Sequence, residues 1–376
     1  MVQGIALFVL ALSTLHYLLF MTLVRIGLVR LDRQPRSKEE PFVSVVVAAR
    51  NEERGISRCL ESILDQTYKS NQYELIVVDD DSSDGTAEAV VNLARRRKNI
   101  RFLRLAPTAD SEHGRKPEAI ALGVHAARGD VILTTDADCV VPPRWIETMT
   151  SFIVPGIAFV SGPVAEFAAD GLLSKMSGVE MLGLVTVGAG LVGARRPITC
   201  TGANLAYRKS DYLHAVAKPG KKSSNDDEAL MSRIFRANSG GIAFAAAKEA
   251  VVRTAPEESA GRLILQRLRW SAKRGRYGEK SVLAILVGLY VFFACLVGIP
   301  WLILAEPLIA VPFFVVVLGK AFVDFMTLRA GARMTGSSFG LIPFIIGELL
   351  HPPYVVLVAG LAQFLPHRWK GRSVRQ

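Results

Sequence analysis

The chain has 376 residues, half of them hydrophobic, and its mean hydropathy of +0.30 excludes a disordered protein, which would be polar and highly charged throughout. The same hydropathy argues against an ordinary soluble enzyme and indicates that part of the chain lies in lipid. The net charge of +11 suits nucleic acid, an anionic membrane surface or a phosphate-bearing substrate, and four scattered cysteines exclude a disulfide framework and a CxxC metal site.

An uncharged apolar segment comes first. Residues 5–24 carry no formal charge, and a helix of that length spans about 30 Å, the thickness of the hydrocarbon layer. A cleaved signal peptide is the competing interpretation, but no Lys or Arg precedes the segment, and Arg25, Arg30, Arg33 and Arg36 follow it. This charge order predicts a retained transmembrane anchor over residues 1–30, with the next segment in the cytoplasm.

Strand and helix patterns then alternate through residues 41–260. The residues predict strands at 42–49, 73–78, 99–105 and 131–135, and helices at 53–66, 84–97 and 117–128. The first strand is a continuous apolar, β-branched run, as expected of a strand covered on both faces. The alternation predicts parallel βαβ units, and hence an open α/β sheet that binds ligands at the carboxyl ends of its strands.

Polar clusters fall at those strand ends, at residues 50–53, 79–86 and 136–138. Asp84 with Ser82 or Ser83 would serve simply to cap a helix, and a lone DxD tripeptide is common by chance. Neither interpretation explains why three such clusters share one edge, where their carboxylates repel unless a cation lies among them. Hard oxygen ligands at Asp136 and Asp138 favour Mg²⁺ or Mn²⁺, which usually bridges to substrate phosphates, and Lys116 is placed to meet those phosphates.

Residues 261–280 form a basic segment with interleaved apolar residues. Seven Lys or Arg residues stand against one acidic residue over 262–280. The pattern predicts an amphipathic helix at the membrane surface. Nucleic-acid binding is the rival explanation of the charge, but no recognisable fold or aromatic pattern supports it, so we expect no nucleic-acid partner.

Residues 281–366 predict about three apolar helices. Glu306, followed by Pro307, interrupts the first long run and indicates a tight hairpin of two helices. The third block, at 340–365, contains Glu348 and the prolines 352 and 353, which kink or break a helix. It either spans once or re-enters, and spanning once would place the basic tail outside, against the positive-inside tendency.

A GxGxxG pattern occurs at residues 188–193. The dinucleotide fingerprint requires a strand before it and a helix after it, within a βαβ unit. Because residues 195–197 (Arg-Arg-Pro) follow without a helix-start pattern, a nicotinamide site is not expected. We interpret residues 171–197 as an apolar, glycine-rich stretch near the membrane or the acceptor entrance.

Six segments in order resemble the motif set of glycosyltransferase family 2: PFVSVVVAARNEE, LIVVDDDSSDGT, ARGDVILTTDADC, TGAN, SNDDEAL and QRLRW. The resemblance covers roughly residues 41–280. It implies a membrane-bound inverting enzyme related to cellulose and hyaluronan synthases. It also implies an α/β GT-A fold, a Rossmann-like nucleotide-diphospho-sugar transferase domain with N-terminal and C-terminal transmembrane helices.

The same resemblance assigns roles to particular residues. The nucleotide-sugar site is formed by Ala49, Asn51, Glu52, Asp80, Lys116, Asp136 and Arg269. The metal ligand is Asp138, the catalytic base is Asp227, and Asp226 is the acidic residue before it. The acceptor side is formed by Thr201, Gly202, Asn204, Gln266 and Trp270.

The chemistry supports these roles independently of the resemblance. Inverting transfer needs an acceptor hydroxyl to be deprotonated on the face opposite the leaving group, and a positioned carboxylate such as Asp227 does this. Alternatively, Asp226, Asp227 and Glu228 stabilise a helix start through its dipole, and both roles can hold together. Trp270 lies on an apolar helix face and would ordinarily be a core residue, but its motif favours a platform that stacks on the acceptor.

The expected function is therefore metal-dependent transfer from a UDP-sugar to a membrane-proximal acceptor, a growing polysaccharide or a glycolipid, at the cytoplasmic face of the cytoplasmic membrane. QxxRW favours processive synthesis, although a polymer channel would then need a homo-oligomer or an export partner. One alternative is transfer of a single sugar to a lipid carrier or glycolipid. Another is a catalytically idle nucleotide-binding regulator of an export complex, against which the intact Asp138 and Asp227 argue.

Overall fold

A computed structural model of the chain describes residues 1–106, 115–217, 226–237, 241–271, 280–364, 368–369 and 372–373. A long N-terminal helix precedes four strands that alternate with helices. These elements are α1 (Val2–Leu31), β1 (Val43–Ala49), α2 (Ile56–Leu64), β2 (Tyr73–Asp79), α3 (Thr86–Arg96), β3 (Ile100–Arg104), α4 (Lys116–Ala126) and β4 (Val131–Asp136).

Shorter strands and further helices complete the chain. The middle elements are α5 (Trp145–Ser151), β5 (Phe159–Ser161), β6 (Val164–Glu166), α6 (Leu172–Gly193), β7 (Leu205–Arg208), α7 (Lys209–Ala217), α8 (Asp226–Ala237), β8 (Ile242–Phe244), a 3₁₀ turn (Lys248–Ala250), β9 (Val252–Thr254) and α9 (Ala260–Ser271). The last are α10 (Lys280–Ile303), a 3₁₀ turn (Pro307–Ile309), α11 (Ala310–Thr335), α12 (Leu341–Leu361), β10 (Arg368–Trp369) and β11 (Arg372–Ser373).

The main sheet has seven strands in the order β3-β2-β1-β4-β7-β5-β8. The four strands predicted from the sequence are present and parallel, with β1 between β2 and β4. The other half is mixed, because β7 runs antiparallel to both β4 and β5. The α/β prediction is therefore confirmed, and the antiparallel strand is a feature that the local pattern did not reveal.

Both faces of the sheet are buried, which explains the continuous apolar runs of its strands. Along β1, Val45 and Val47 pack into one core cluster, whereas Val46 packs into another on the opposite face. All three side chains are fully buried. The period-two alternation of a strand thus places hydrophobic residues in two separate cores.

The register of the sheet brings the predicted acidic clusters to one edge. Ala48 of β1 pairs with Val78 of β2 on one side and with Asp136 of β4 on the other. The loops that follow β1, β2 and β4 therefore leave the sheet side by side. The expected gathering of polar residues at the carboxyl ends of parallel strands is a consequence of this register.

Among the described residues, five helices are long and apolar enough to cross a membrane: α1, α6, α10, α11 (with its preceding 3₁₀ turn) and α12. The sequence indicated four of them, and α6 is the addition, within the apolar, glycine-rich stretch of residues 171–197. This helix crosses α1 so closely that a Cβ on Gly190 would lie 2.5 Å from the Val24 carbonyl oxygen. Glycine permits this backbone approach, as small residues do between membrane helices.

Helix α12 is continuous through Pro352 and Pro353, where the sequence predicted a kink or a break. Near its start, Phe344 packs with Leu328 and Ala332 of α11. Near its end, Val358 packs against Leu268 of α9. The helix therefore connects the C-terminal half of α11 with the segment that carries the QxxRW motif.

Candidate active site

The loops after β1 and β2 are bound to each other through side chains of both. The Ser83 backbone N–H donates to Asn51 Oδ1 at 2.9 Å, and the Glu52 N–H donates to Thr86 Oγ1 at 2.7 Å. Gly85 N–H donates to Glu53 Oε2 at 3.2 Å. These bonds make the two loops one wall of the site.

The predicted nucleotide residues occupy different positions in this wall. Glu52 lines the large cavity beside Ala48 and Arg50. The Ala49 side chain is buried in the core, and its carbonyl accepts from the Asp80 N–H at 2.9 Å. Asp80 is only 2% exposed, and neither it nor Asn51 lines the cavity. In this structure, Glu52 thus faces the cavity directly, whereas Ala49, Asn51 and Asp80 shape the wall behind it.

Asp136, Asp138 and Cys139 form a compact group at the end of β4. One potential ligand atom from each lies within 4.8 Å of the others. The Cys139 thiol donates to Asp138 Oδ1 at 3.6 Å. Burial, followed by the charges of Asp136 and Asp138, raises the pKa of this thiol well above its usual range. The two carboxylates therefore offer hard oxygen ligands suited to Mg²⁺ or Mn²⁺, while Cys139 remains a protonated neighbour.

Lys116 lies at the start of α4, where it forms an ion pair with Asp136. Burial alone would lower the pKa of this ammonium group, but the charges of Asp136 and Asp227 more than offset that effect and raise it. Lys116 therefore remains cationic in the same cavity as these carboxylates. This arrangement fits the predicted contact with substrate phosphates.

Asp227 lies in the first turn of α8 and lines the cavity. Burial raises the pKa of its carboxyl; Lys116 opposes this change, while Asp136 and Glu228 reinforce it. A carboxyl whose pKa is raised toward the working pH is suited to accept a proton. Asp226 begins the helix, as the helix-start interpretation expected, but its side chain lies outside the described part of the structure.

The Thr-Gly-Ala-Asn turn packs directly against this carboxylate. A Cβ on Gly202 would lie 2.0 Å from Asp227 Oδ2, so a larger residue would have to displace that carboxylate. Thr201 and Gly202 line the cavity. The turn therefore lies beside the predicted base.

Asn204, which was also predicted to contact the acceptor, is fully buried and does not line the cavity. Its Nδ2 donates to the carbonyls of Pro163 and Ala250 at 2.8 and 2.7 Å, and its Oδ1 accepts from Trp145 Nε1 at 2.9 Å. The whole amide is thus committed to protein partners. In this structure Asn204 therefore holds the turn in place from behind, and a contact with the acceptor stays a prediction.

The QxxRW residues of α9 line the cavity at Gln266, Arg269 and Trp270. Burial lowers the pKa of the Arg269 guanidinium, and the charges of Asp136 and Glu257 act against that effect. Trp270 is partly buried and packs against a hydrophobic cluster while also facing the cavity. Trp270 therefore has the contacts expected of a core residue, and it also faces the cavity, as a platform that stacks on the acceptor would. Residues 272–279 of the predicted interfacial segment lie outside the described residues.

The sequence did not single out Arg267, one residue beyond Gln266. Its side chain is 3% exposed, lies 3.2 Å from Glu180 of α6, and stacks on Trp270 with 4.3 Å between the guanidinium carbon and the ring centroid. The only sequence signal was its place inside the motif, where it was counted with the basic residues of an exposed face. Cys139 was likewise missed, although it follows Asp138 directly.

The groups that line the site face one cavity of about 2250 Å³. Part of its lining consists of Lys116 and the carboxylates Asp136, Asp138 and Asp227. Another part consists of side chains of the long apolar helices: Met181, Leu286, Tyr290, Leu328, Phe344, Tyr354 and Val358. The cavity therefore joins a polar, carboxylate-bearing site to a groove with apolar walls.

Comparisons with known proteins agree with this geometry. Residues 44–212 match Glycosyl transferase family 2. A beta-monoglucosyldiacylglycerol synthase of Trichormus variabilis is 35% identical over 98 residues, 26% of this chain and 20% of the relative. An undecaprenyl-phosphate 4-deoxy-4-formamido-L-arabinose transferase of Photorhabdus laumondii is 32% identical over 149 residues, 39% of this chain and 44% of the relative. The chain spans less than half the length of these curated relatives.

A solved structure extends the likeness over nearly the whole chain. A mannosyltransferase from Pyrobaculum calidifontis, in complex with GDP-Man and Mn²⁺, aligns with a TM-score of 0.55 and 18% identity, covering 94% of this chain and 98% of its own. At that identity the likeness concerns the fold alone. Residues 44–212 therefore resemble glycosyltransferase family 2, and they lie within a domain that has the GT-A fold.

Proposed function

We propose that this enzyme transfers one sugar from a nucleotide-diphosphate sugar to a lipid acceptor, with inversion at the anomeric carbon. The observation that carries the proposal is the single cavity, which runs from the carboxylates at the sheet edge to the groove among the apolar helices. A lipid with its tail in that groove would present its head group to Asp227. The printed names of the two curated relatives, one on a diacylglycerol lipid and one on undecaprenyl phosphate, support a lipid acceptor.

In this mechanism the Asp227 carboxylate takes the proton of the acceptor hydroxyl. The oxygen then attacks the anomeric carbon, and the bond from that carbon to the diphosphate breaks on the opposite face. Lys116 and Arg269 bind the diphosphate as its negative charge grows. Gly202, pressed against Asp227, fixes the position of the base.

Asp138, together with Asp136, fits a divalent cation because their oxygens lie close together and the neighbouring Cys139 thiol stays protonated. Bound there, Mg²⁺ or Mn²⁺ would neutralise charge on the leaving diphosphate. The donor is proposed to be a UDP-sugar on the strength of the motif resemblance. Since the mannosyltransferase neighbour was solved with GDP-Man, the test includes both nucleotides.

The apolar lining favours a lipid tail over a growing polysaccharide, because a polymer of hydroxyl groups gains little from leucine, valine and phenylalanine walls. We further propose that the long apolar helices hold the catalytic domain at the cytoplasmic face of the membrane. The basic residues after the first apolar segment support that orientation.

The test measures nucleoside diphosphate release by the full chain in detergent, against a panel of UDP- and GDP-sugars, with Mn²⁺, Mg²⁺ or EDTA, and with or without lipid extract. We expect metal-dependent release with one donor, dependence on lipid, and a product with about one sugar per lipid. Asp227→Asn provides the inactive control. Release without transfer to any lipid, or chains of many sugars, would contradict the lipid-transferase proposal.

A further inference from the structure

A group of polar side chains that the mechanism does not use lines the cavity where α6, α9 and α12 meet. We call it the acidic collar and define it as Glu166, Ser177, Glu180 and Arg267. Tyr354 of α12 donates to Glu180 Oε1 at 2.9 Å. The collar therefore joins elements of the catalytic domain to a helix of the apolar groove.

The charges of the collar do not balance. The collar contains two carboxylates, those of Glu166 and Glu180, and one guanidinium, that of Arg267, which already pairs with both. Its Nε lies 3.2 Å from Glu180, and its Nη2 lies 4.0 Å from Glu166. With a side chain only 3% exposed and stacked on Trp270, this guanidinium is not available to an incoming anion. Counted over its own members, the collar carries one negative charge in excess.

One atom of the collar has no hydrogen-bond partner among the described residues. Glu166 Oε1 accepts from Ser177 Oγ at 2.7 Å, but Glu166 Oε2 is buried and has none. The side chain is only 6% exposed, so a ligand reaches this oxygen when the carboxylate turns toward the cavity that it lines. A buried acceptor without a donor costs free energy that a ligand with a hydroxyl group would recover.

The collar and the groups proposed to act in catalysis line the same cavity, which contains Glu166, Glu180, Asp227 and Arg269. One acceptor in that cavity could therefore contact both the collar and Asp227.

From this arrangement we propose that the acceptor head group is uncharged and carries hydroxyl groups, as glycerol or a sugar on a lipid does, and that Glu166 binds a hydroxyl other than the attacking one. A hydroxyl donates to a carboxylate, whereas a lipid phosphate placed there would meet two negative charges with the nearby arginine already paired. The inference rests on the proposed lipid acceptor and selects its chemical class.

The test uses the full chain in detergent and two probes that differ at the head group, dioctanoylglycerol and dioctanoyl phosphatidic acid. Binding is titrated calorimetrically without donor, so the result does not depend on turnover. We expect the glycerol lipid to bind at least about tenfold more tightly, since one buried hydrogen bond carries that much free energy. Equal binding, or tighter binding of phosphatidic acid, would overturn the inference.

Variants of the collar then test whether Glu166 causes the preference for dioctanoylglycerol. Glu166→Gln should weaken dioctanoylglycerol binding about tenfold and leave nucleotide-sugar binding unchanged. Glu258→Gln is the matched control, because that carboxylate is 77% exposed and pairs only with Arg262 among the described residues. Glu180→Gln is the second variant if Glu166→Gln does not fold. Undiminished binding by folded Glu166→Gln would refute the role of Glu166, and undiminished binding by Glu180→Gln would refute the role of the collar.

A transfer assay separates this inference from the proposed function. Dioleoylglycerol and undecaprenyl phosphate are offered as acceptors in the same micelles. Transfer to undecaprenyl phosphate alone would uphold the lipid transferase and overturn the hydroxyl head group. Transfer to neither would contradict the proposed function, while the binding preference would still decide the chemistry of the collar.

Discussion

Two polar clusters in this protein use the same residue types in opposite ways. The open cluster, at the sheet edge, consists of Lys116, Asp136, Asp138 and Asp227. The closed cluster lies among the apolar helices, where Lys320 is 3% exposed and forms ion pairs at 2.7 Å with both Asp324 and Glu348. Tyr17 of α1 also donates to Asp324.

The difference shows how a ligand-binding site can be distinguished from a polar cluster that only holds helices together. In the closed cluster the single lysine is saturated by two fixed carboxylates on α11 and α12, so its contacts hold helices together. Asp324 and Glu348 also line the cavity, but Lys320 does not. In the open cluster the lysine itself lines the cavity, together with three carboxylates. A cation and carboxylates that face the same open space can both contact a ligand.

The largest expected effect comes from removing the base of the open cluster. Asp227→Asn keeps the shape of the side chain but cannot take a proton, so kcat should fall by about 10²–10⁴-fold. Steady-state kinetics measures the loss, and nucleotide-sugar binding should be unchanged. Asp65→Asn, at an exposed carboxylate after α2, is the matched control. Transfer at the wild-type rate would place the base elsewhere.

Breaking the closed cluster should affect stability instead of chemistry. Lys320→Met leaves two largely buried carboxylates without their cation, which costs up to about 3–5 kcal/mol of the free energy of unfolding. Unfolding in detergent measures the change. Lys69→Met, which breaks the exposed pair with Glu40, should cost less than about 1 kcal/mol.

A further variant tests whether the cost comes from the unpaired charges. Lys320→Met combined with Asp324→Asn and Glu348→Gln should recover much of the stability, because no ionised carboxylate then lacks its cation. Equal destabilisation by the single and triple variants would argue that packing, not charge, holds these helices.

Asp138→Ala should weaken Mn²⁺ binding by at least about 10–100-fold, since even indirect partners of a metal contribute that much. Calorimetric titration with Mn²⁺ in the presence of the nucleoside diphosphate measures the loss. Asp170→Asn, at an exposed aspartate before α6, is the control. Nucleotide affinity that is equal with Mn²⁺ and with EDTA in the wild type would contradict the ligand assignment.

A smaller effect is expected from Gly202→Ala, whose methyl group must displace the Asp227 carboxylate. Displacement of this kind costs about 1–3 kcal/mol, so kcat should fall about tenfold or more while lipid and donor binding persist. Gly178→Ala is the matched control, because a Cβ there meets no atom within 4 Å. Full activity of Gly202→Ala would show that the base does not need its present position.

The smallest expected effect is on the pH profile. Because burial raises the pKa of Asp227, the reaction rate should fall with decreasing pH at a higher value than an exposed aspartate, about 3.9, would give. The free energy of unfolding depends on pH in the opposite direction, because the pKa of this carboxyl is higher in the folded state than in the unfolded state. Its stabilising contribution is fully present below the unfolded-state pKa and is lost as pH rises through the folded-state pKa. The pH dependence of kcat/KM measures the first, and an acid limb near the ordinary aspartate value would refute the assignment.

Much of the site could be predicted because its signals are local. The four parallel strands follow from apolar runs, and the acidic clusters follow those strands directly in the chain. Alternation along β1 could even have placed the Ala49 side chain in the core, since it lies on the same face as Val45 and Val47. Asn204 could not be predicted, because its partners Trp145, Pro163 and Ala250 are separated from it in sequence.

By itself, the sequence determined the four parallel strands, four of the five apolar helices, and which carboxylates end the strands, because periodicity and composition act within a few residues. Only the tertiary structure decided that Arg267 pairs with Glu180, 87 residues away, while Arg269 lines the cavity. It also placed α6 against α1 and joined the acidic edge to the apolar groove. Those outcomes depend on how distant surfaces pack, and packing is a property of the whole fold.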